Sequence, residues 1–134
     1  MKKAALLLLT ISLSVSCTTK TETNTTEHYK SKITKAEKEF QKMVSEKGIA
    51  EGFYYFADEN ATIKRENDTL IIGKENIRNY YSNPKYKNAT VKWSPDFISV
   101  SESGDLAYTY GKHNWSAKDS LGKTIKAKGV FHTV

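Results

Sequence analysis

The 134-residue sequence carries a formal charge of +6, and almost all of its basic residues are lysines, Arg65 and Arg78 being the only arginines. The lysines are interleaved with glutamates, as in Lys35 to Glu39 and Glu46-Lys47, which reads as a solvated mixed-sign surface and argues against a nucleic-acid-binding stripe. A single cysteine, Cys17, excludes a disulfide within the chain, so one domain of this length must stand on its packed core.

At the start, Lys2 and Lys3 precede a short apolar stretch from Ala4 to Leu13, and Ser14-Val15-Ser16 lead into Cys17. The stretch is too short for a permanent transmembrane helix and reads as a secretory signal over residues 1–16, which takes two of the positive charges with it. A lone cysteine at the cut site resembles a bacterial lipoprotein signal. That resemblance implies lipidation of Cys17, cleavage before it, and anchoring in the bacterial cell envelope on the periplasmic or outer-membrane side. The lipid is then the contact with the membrane. In the lipoprotein pattern a leucine stands three residues before the cysteine, whereas Leu13 stands four before it. Ser14 and Ser16 also fit ordinary secretory cleavage, which would leave Cys17 a free thiol. An otherwise purposeless unpaired cysteine favours lipidation.

Thr18 to Glu27 has no apolar anchor, so residues 17–30 are expected to form the lipidated cysteine and a disordered tether. A domain over 31–134 follows. Thr34-Lys35-Ala36-Glu37 fits a capping box, and Ile33, Ala36, Phe40, Met43 and Val44 recur at helical spacing up to Gly48. A shorter helix carries Ile49, Phe53 and Phe56 on one face. Strands are predicted over residues 61–65 and 69–72, joined by Glu66-Asn67-Asp68, and then a helix over 75–81 stopped by Asn83-Pro84. From Ala89 the pattern is strand-like. One long strand is bent at Pro95, a second runs over 106–116, and a third over 124–134. Helices followed by antiparallel strands predict an α+β fold.

Five segments, in order, resemble the nuclear-transport-factor-2-like superfamily, in the ketosteroid isomerase and SnoaL-like branch that includes a domain of unknown function. They are Gly48 to Phe53 running into Phe56 to Thr62, Gly73 to Arg78, Trp93 to Phe97, Ser103 to Tyr108, and Gly129 to Val134. The resemblance implies a cone-shaped curved sheet wrapped around about three N-terminal helices, open over a pocket. It also implies pairing with a second copy, as such sheets often do. The family pattern continues into a last strand, so a final strand is expected to be missing here and its neighbour to have an exposed edge.

Ketosteroid isomerases use a carboxylate base, a tyrosine and a protonated aspartic acid. Carried over, the base position falls on or beside Arg65, the tyrosine position near Phe40, and the acid position near Phe131 or His132. Arginine stays charged and cannot take the proton, and phenylalanine has no hydroxyl. No catalytic residue is therefore assigned, and no metal site or cofactor is expected, since neither zinc-ligand spacing nor a glycine-rich phosphate loop is present. Glu66 and Asp68 read as turn residues in water. His113 and His132 are titratable candidates on adjacent strands, with the inward face of the last strand left open between Phe131 and His132. The pocket candidates are Arg65, Trp93, Tyr108, Tyr110, Phe131 and His132. An arginine looking into such a cone would select an anionic small organic ligand. Three readings result: an envelope lipoprotein binding a small ligand or partner, an isomerase- or cyclase-like enzyme with an unfamiliar acid–base set, and a structural dimerising module.

Overall fold

The structure, a computed structural model, describes residues 20–134, with side chains from Thr25 onward. The leader and Cys17 lie outside the described residues. Four helices and five strands follow one another: α1 Lys20–Lys47, α2 Ile49–Phe56, β1 Thr62–Lys64, β2 Leu70–Ile72, α3 Lys74–Tyr81, α4 Pro84–Lys87, β3 Thr90–Val100, β4 Ala107–Lys118 and β5 Thr124–Thr133. Helices followed by antiparallel sheets make this an α+β fold, as expected.

Helix α1 starts well before the expected capping box. Thr34 is mid-helix, and its hydroxyl donates to the Lys30 carbonyl at 2.9 Å instead of capping a terminus. Much of the segment expected as a tether is thus the opening of this helix. Two contacts support it there. Lys30 pairs with Glu27 at 2.9 Å one turn away, and the Tyr29 ring packs on Gly104 in the turn between β3 and β4. A polar run without aliphatic anchors gave no sign that one tyrosine would dock so far along the chain.

Beyond Tyr29, α1 lays Phe40 and Val44 against α2 and the sheet. Val44 and Ile49 are buried, and Ile77 of α3 has no exposure at all. At Gly52 the two helices α1 and α2 approach closely: a Cβ there would collide with Val44 Cγ2. Arg78 of α3 grips Glu51 of α2 through Nε at 3.0 Å and Nη2 at 2.7 Å. Asn83-Pro84, expected only to stop α3, also starts α4: the Asn83 side chain accepts from Lys85 N at 3.1 Å, with Pro84 in the first turn.

The strands form two sheets, the hairpin β1-β2 and the three-stranded antiparallel β3-β4-β5. The hairpin turn is tight because Asn67 and Asp68 take left-handed conformations, φ 56° and 59°. In the larger sheet, Trp93 opposes His113, which opposes Gly129; Gly111 opposes both Pro95 and Phe131. A register shift between Pro95 and Phe97 bends β3 where the proline was expected to do so. Gly111 lies under that bend, and a Cβ on it would strike Ser94 O. Helix α1 covers β3 on one face and at its free edge, where the Gln41 side chain accepts from Trp93 N at 3.3 Å. Strand β5 forms the opposite edge of the sheet.

Candidate functional site

Strand periodicity decides which side chains share a space. The helix-facing, inner row comprises Trp93 on β3, Thr109, Gly111, His113 and Trp115 on β4, and Gly129 and Phe131 on β5. Thr109 is 4% exposed and donates toward Glu37 of α1 at 3.4 Å; the same carboxylate accepts from Trp93 Nε1 at 2.7 Å. The His113 ring rests against Gly129, and the Phe131 ring against Gly111.

From Trp93 an aromatic run crosses to the hairpin. Phe40 packs on Trp93 at 4.9 Å between ring centres and on Phe53 and Phe56 at 5.1 Å each. Phe53 stacks on Tyr81 at 4.7 Å. Arg65 lies over this last pair, its guanidinium carbon 5.4 Å from the Tyr81 ring centre and 5.8 Å from that of Phe53. Arg65 Nε donates to the Tyr81 hydroxyl at 2.6 Å and Nη1 to the Lys64 carbonyl at 2.6 Å; among the described residues Nη2 has no hydrogen-bond partner. Burial pushes the Tyr81 phenol above its ordinary range, with the charge and hydrogen bond of Arg65 acting against that.

Beside it runs a phenol relay. Tyr86 donates to Tyr80 at 2.6 Å, and Tyr80 donates to Glu66 at 2.5 Å. Burial and these two partners hold the Tyr80 phenol well above its ordinary range. The Tyr80 hydrogen bond, first among several causes, holds Glu66 below the usual carboxylate range. Glu66 is therefore a fastener between the hairpin and α3, where the sequence suggested only a turn residue in water. Asp68 pairs with Lys64 at 2.6 Å.

Of the pocket candidates, Arg65, Trp93 and Phe131 lie on the helix side. Tyr108, Tyr110 and His132 do not share that space. They alternate with Thr109, Gly111 and Phe131 and so occupy the opposite face, where the Tyr108 hydroxyl lies 2.6 Å from His132 Nδ1. The open question between Phe131 and His132 is settled by Gly111, onto which Phe131 folds. His113 and His132 consequently stand on opposite faces and cannot act on one substrate atom. Sequence reasoning missed Glu37, Tyr81 and the Tyr80–Glu66 pair as site residues. Glu37 had a legible signal: it follows Ile33 by four positions and precedes Phe40 by three, a carboxylate inside the apolar stripe.

Chemically, the site offers an aromatic wall, a fixed cation at one end and the Glu37–Thr109 pair on the inner face of the sheet. Among the described residues, no three His, Cys, Asp or Glu side chains are grouped to hold a metal.

No protein-family model matches the sequence, and no curated protein matches it significantly. Solved structures do. A ketosteroid isomerase-like protein from Erwinia carotovora atroseptica superposes with a TM-score of 0.56 at 10% identity, over 74% of this chain and 78% of that one. RV0760c from Mycobacterium tuberculosis, solved in complex with estradiol-17beta-hemisuccinate, gives 0.53 at 19% identity over 72% and 78%. SalBIII, an epoxide hydrolase/cyclase-like enzyme with a role in pyran ring formation in the polyether salinomycin, gives 0.53 at 15% identity over 79% and 78%. The chain therefore shares the fold of these structures, the cone-shaped α+β fold of the nuclear-transport-factor-2-like proteins.

Proposed function

We propose that this chain is an envelope lipoprotein, anchored through Cys17, whose domain binds a small organic anion between the helices and the inner face of the sheet. The observation that carries the reading is Arg65. Its guanidinium is planted on the Phe53–Tyr81 stack, with two donors engaged and Nη2 left over. Such an arginine, next to aromatic rings, calls for a carboxylate or phosphate. The complex of RV0760c with estradiol-17beta-hemisuccinate supports a ligand of that type, an apolar ring system bearing a carboxylate.

The test is thermal melting with steroid hemisuccinates and simpler carboxylates. A ligand at a hundred times its dissociation constant adds about 2.7 kcal/mol. Arg65→Ala should remove the shift while the protein still melts cooperatively. An unmoved melting temperature across the panel would sink the proposal. For the anchor, Cys17→Ser should abolish labelling with radioactive palmitate and release the protein from membranes; an unlabelled, soluble wild type overturns that part.

A catalytic reading has one observation in its favour: Glu37 and His113 flank Trp93 on the inner face. With Arg65 and Phe40 at or beside the positions the resemblance assigns to the isomerase base and tyrosine, no Δ5-3-ketosteroid isomerisation above the buffer rate is expected. Turnover that vanishes in Glu37→Gln or His113→Ala would favour the enzyme.

A further inference from the structure

The outward face of β3-β4-β5 is divided into two halves. One half is basic: Lys92, Lys112, Lys126 and Lys128, with Lys118 at the end of β4, all point away from the helices. None of the five takes part in an ion pair among the described residues, and the nearest acid on these strands is Asp96, at the bulge. The other half is aromatic. Phe97 stacks on Tyr110 at 5.1 Å, and Tyr110 neighbours Tyr108 and His132. Phe97 is 45% exposed and Val130 67%. Lys112, His113, Asn114, Lys128, Gly129 and Val130 line an open depression of about 440 Å³ in the sheet.

We infer that this face docks on an anionic lipid bilayer, its lysines on the headgroups and its aromatic end in the interfacial layer. Charge complementarity selects the occupant. Five unpaired lysines on one half of the face are unfavourable against a second copy stacked over that half, where like charges would meet. Lysines beside tyrosine, phenylalanine and valine are the mixture that an anionic membrane surface accepts. The depression bordered by Lys112 and Lys128 is a seat for a phosphate headgroup. This inference does not depend on the ligand proposed for the inner face.

The experiment is vesicle co-sedimentation of the full chain carrying Cys17→Ser. Vesicles of mixed phosphatidylglycerol and phosphatidylcholine are compared with pure phosphatidylcholine. The leader is the same in every variant and contributes the same background. Preferential binding to the anionic vesicles is expected, weakened by raised salt. Lys112→Gln with Lys128→Gln should lower that preference roughly 30-fold, and Phe97→Ser should weaken binding at both salt levels. Equal binding to both vesicle types overturns the inference. So does a Lys112/Lys128 double variant that binds as wild type. Soluble polyphosphate that is retained as tightly as vesicles, or a stable dimer dispersed by Phe97→Ser with vesicle binding unchanged, assigns the face to another occupant and overturns it equally.

Discussion

The helical layer with its hairpin and the outward face of the three-stranded sheet treat charge in opposite ways. Every ion pair among the described residues lies between Glu27 and Arg78, on α1, α2, α3 or the hairpin and its flanks. Lys74 and Arg78 also sit over the Tyr54 ring, and Lys85 over Tyr86. The sheet's lysines have no such partners. An exposed ion pair contributes little stability, so pairing in the first region reflects neighbours placed by helix spacing and packing. Isolation in the second reflects strands whose outward rows bring the lysines opposite serine, threonine, asparagine and valine, with no acid among those partners.

The sharpest way to break that comparison is in the helical core. Ile77→Ala should cost about 2–5 kcal/mol, read from urea unfolding, since Ile77 is fully buried. Gly52→Ala comes next, at about 1–3 kcal/mol, because its methyl must displace Val44. If either is neutral, the α1–α2–α3 packing is not where the stability resides. Replacing the sheet lysines should barely register: Lys126→Gln is expected to stay within about 0.5 kcal/mol by the same measurement. A larger loss would show that the outward lysines are structural after all.

The pH dependence sharpens the same contrast, since the shifted phenols and Glu66 all belong to the hairpin and α3. Tyr80 and Tyr81 have raised values in the folded state, so their contribution is complete below the ordinary tyrosine pKa and is lost as pH rises through and beyond it. Glu66 has a lowered value, so its contribution is present above the ordinary carboxylate range and is lost as pH falls through the folded-state value. Tyr80→Phe should therefore flatten both the alkaline and the acid limbs of a melting-temperature profile. An unchanged profile would mean the phenol relay does not couple the hairpin to α3. A small effect is expected at Arg78→Ala, about 0.2–1 kcal/mol for a half-exposed pair with Glu51.

Local signals in the chain were enough for the fold class, the order of the elements apart from α4, the Glu66-Asn67-Asp68 turn and the bend at Pro95. Each depends on the residues at that position: left-handed Asn67 and Asp68, a proline without an amide hydrogen, period-two strands. The start of α1 was not legible, because it rests on Tyr29 meeting Gly104 in a turn that forms only when β3 and β4 pair. The candidate site was half legible. Arg65 and Phe131 were named through the family resemblance and Trp93 as an aromatic of the predicted strands, but alternation along a strand gives two faces without saying which is inward. Only the packing of α1, through Glu37 on Trp93 and Thr109, together with Phe131 folded over Gly111, assigned one face to the helices and sent Tyr108, Tyr110 and His132 to the other. A one-residue change of register exchanges the two sets at no local cost, so the choice belongs to the tertiary contacts.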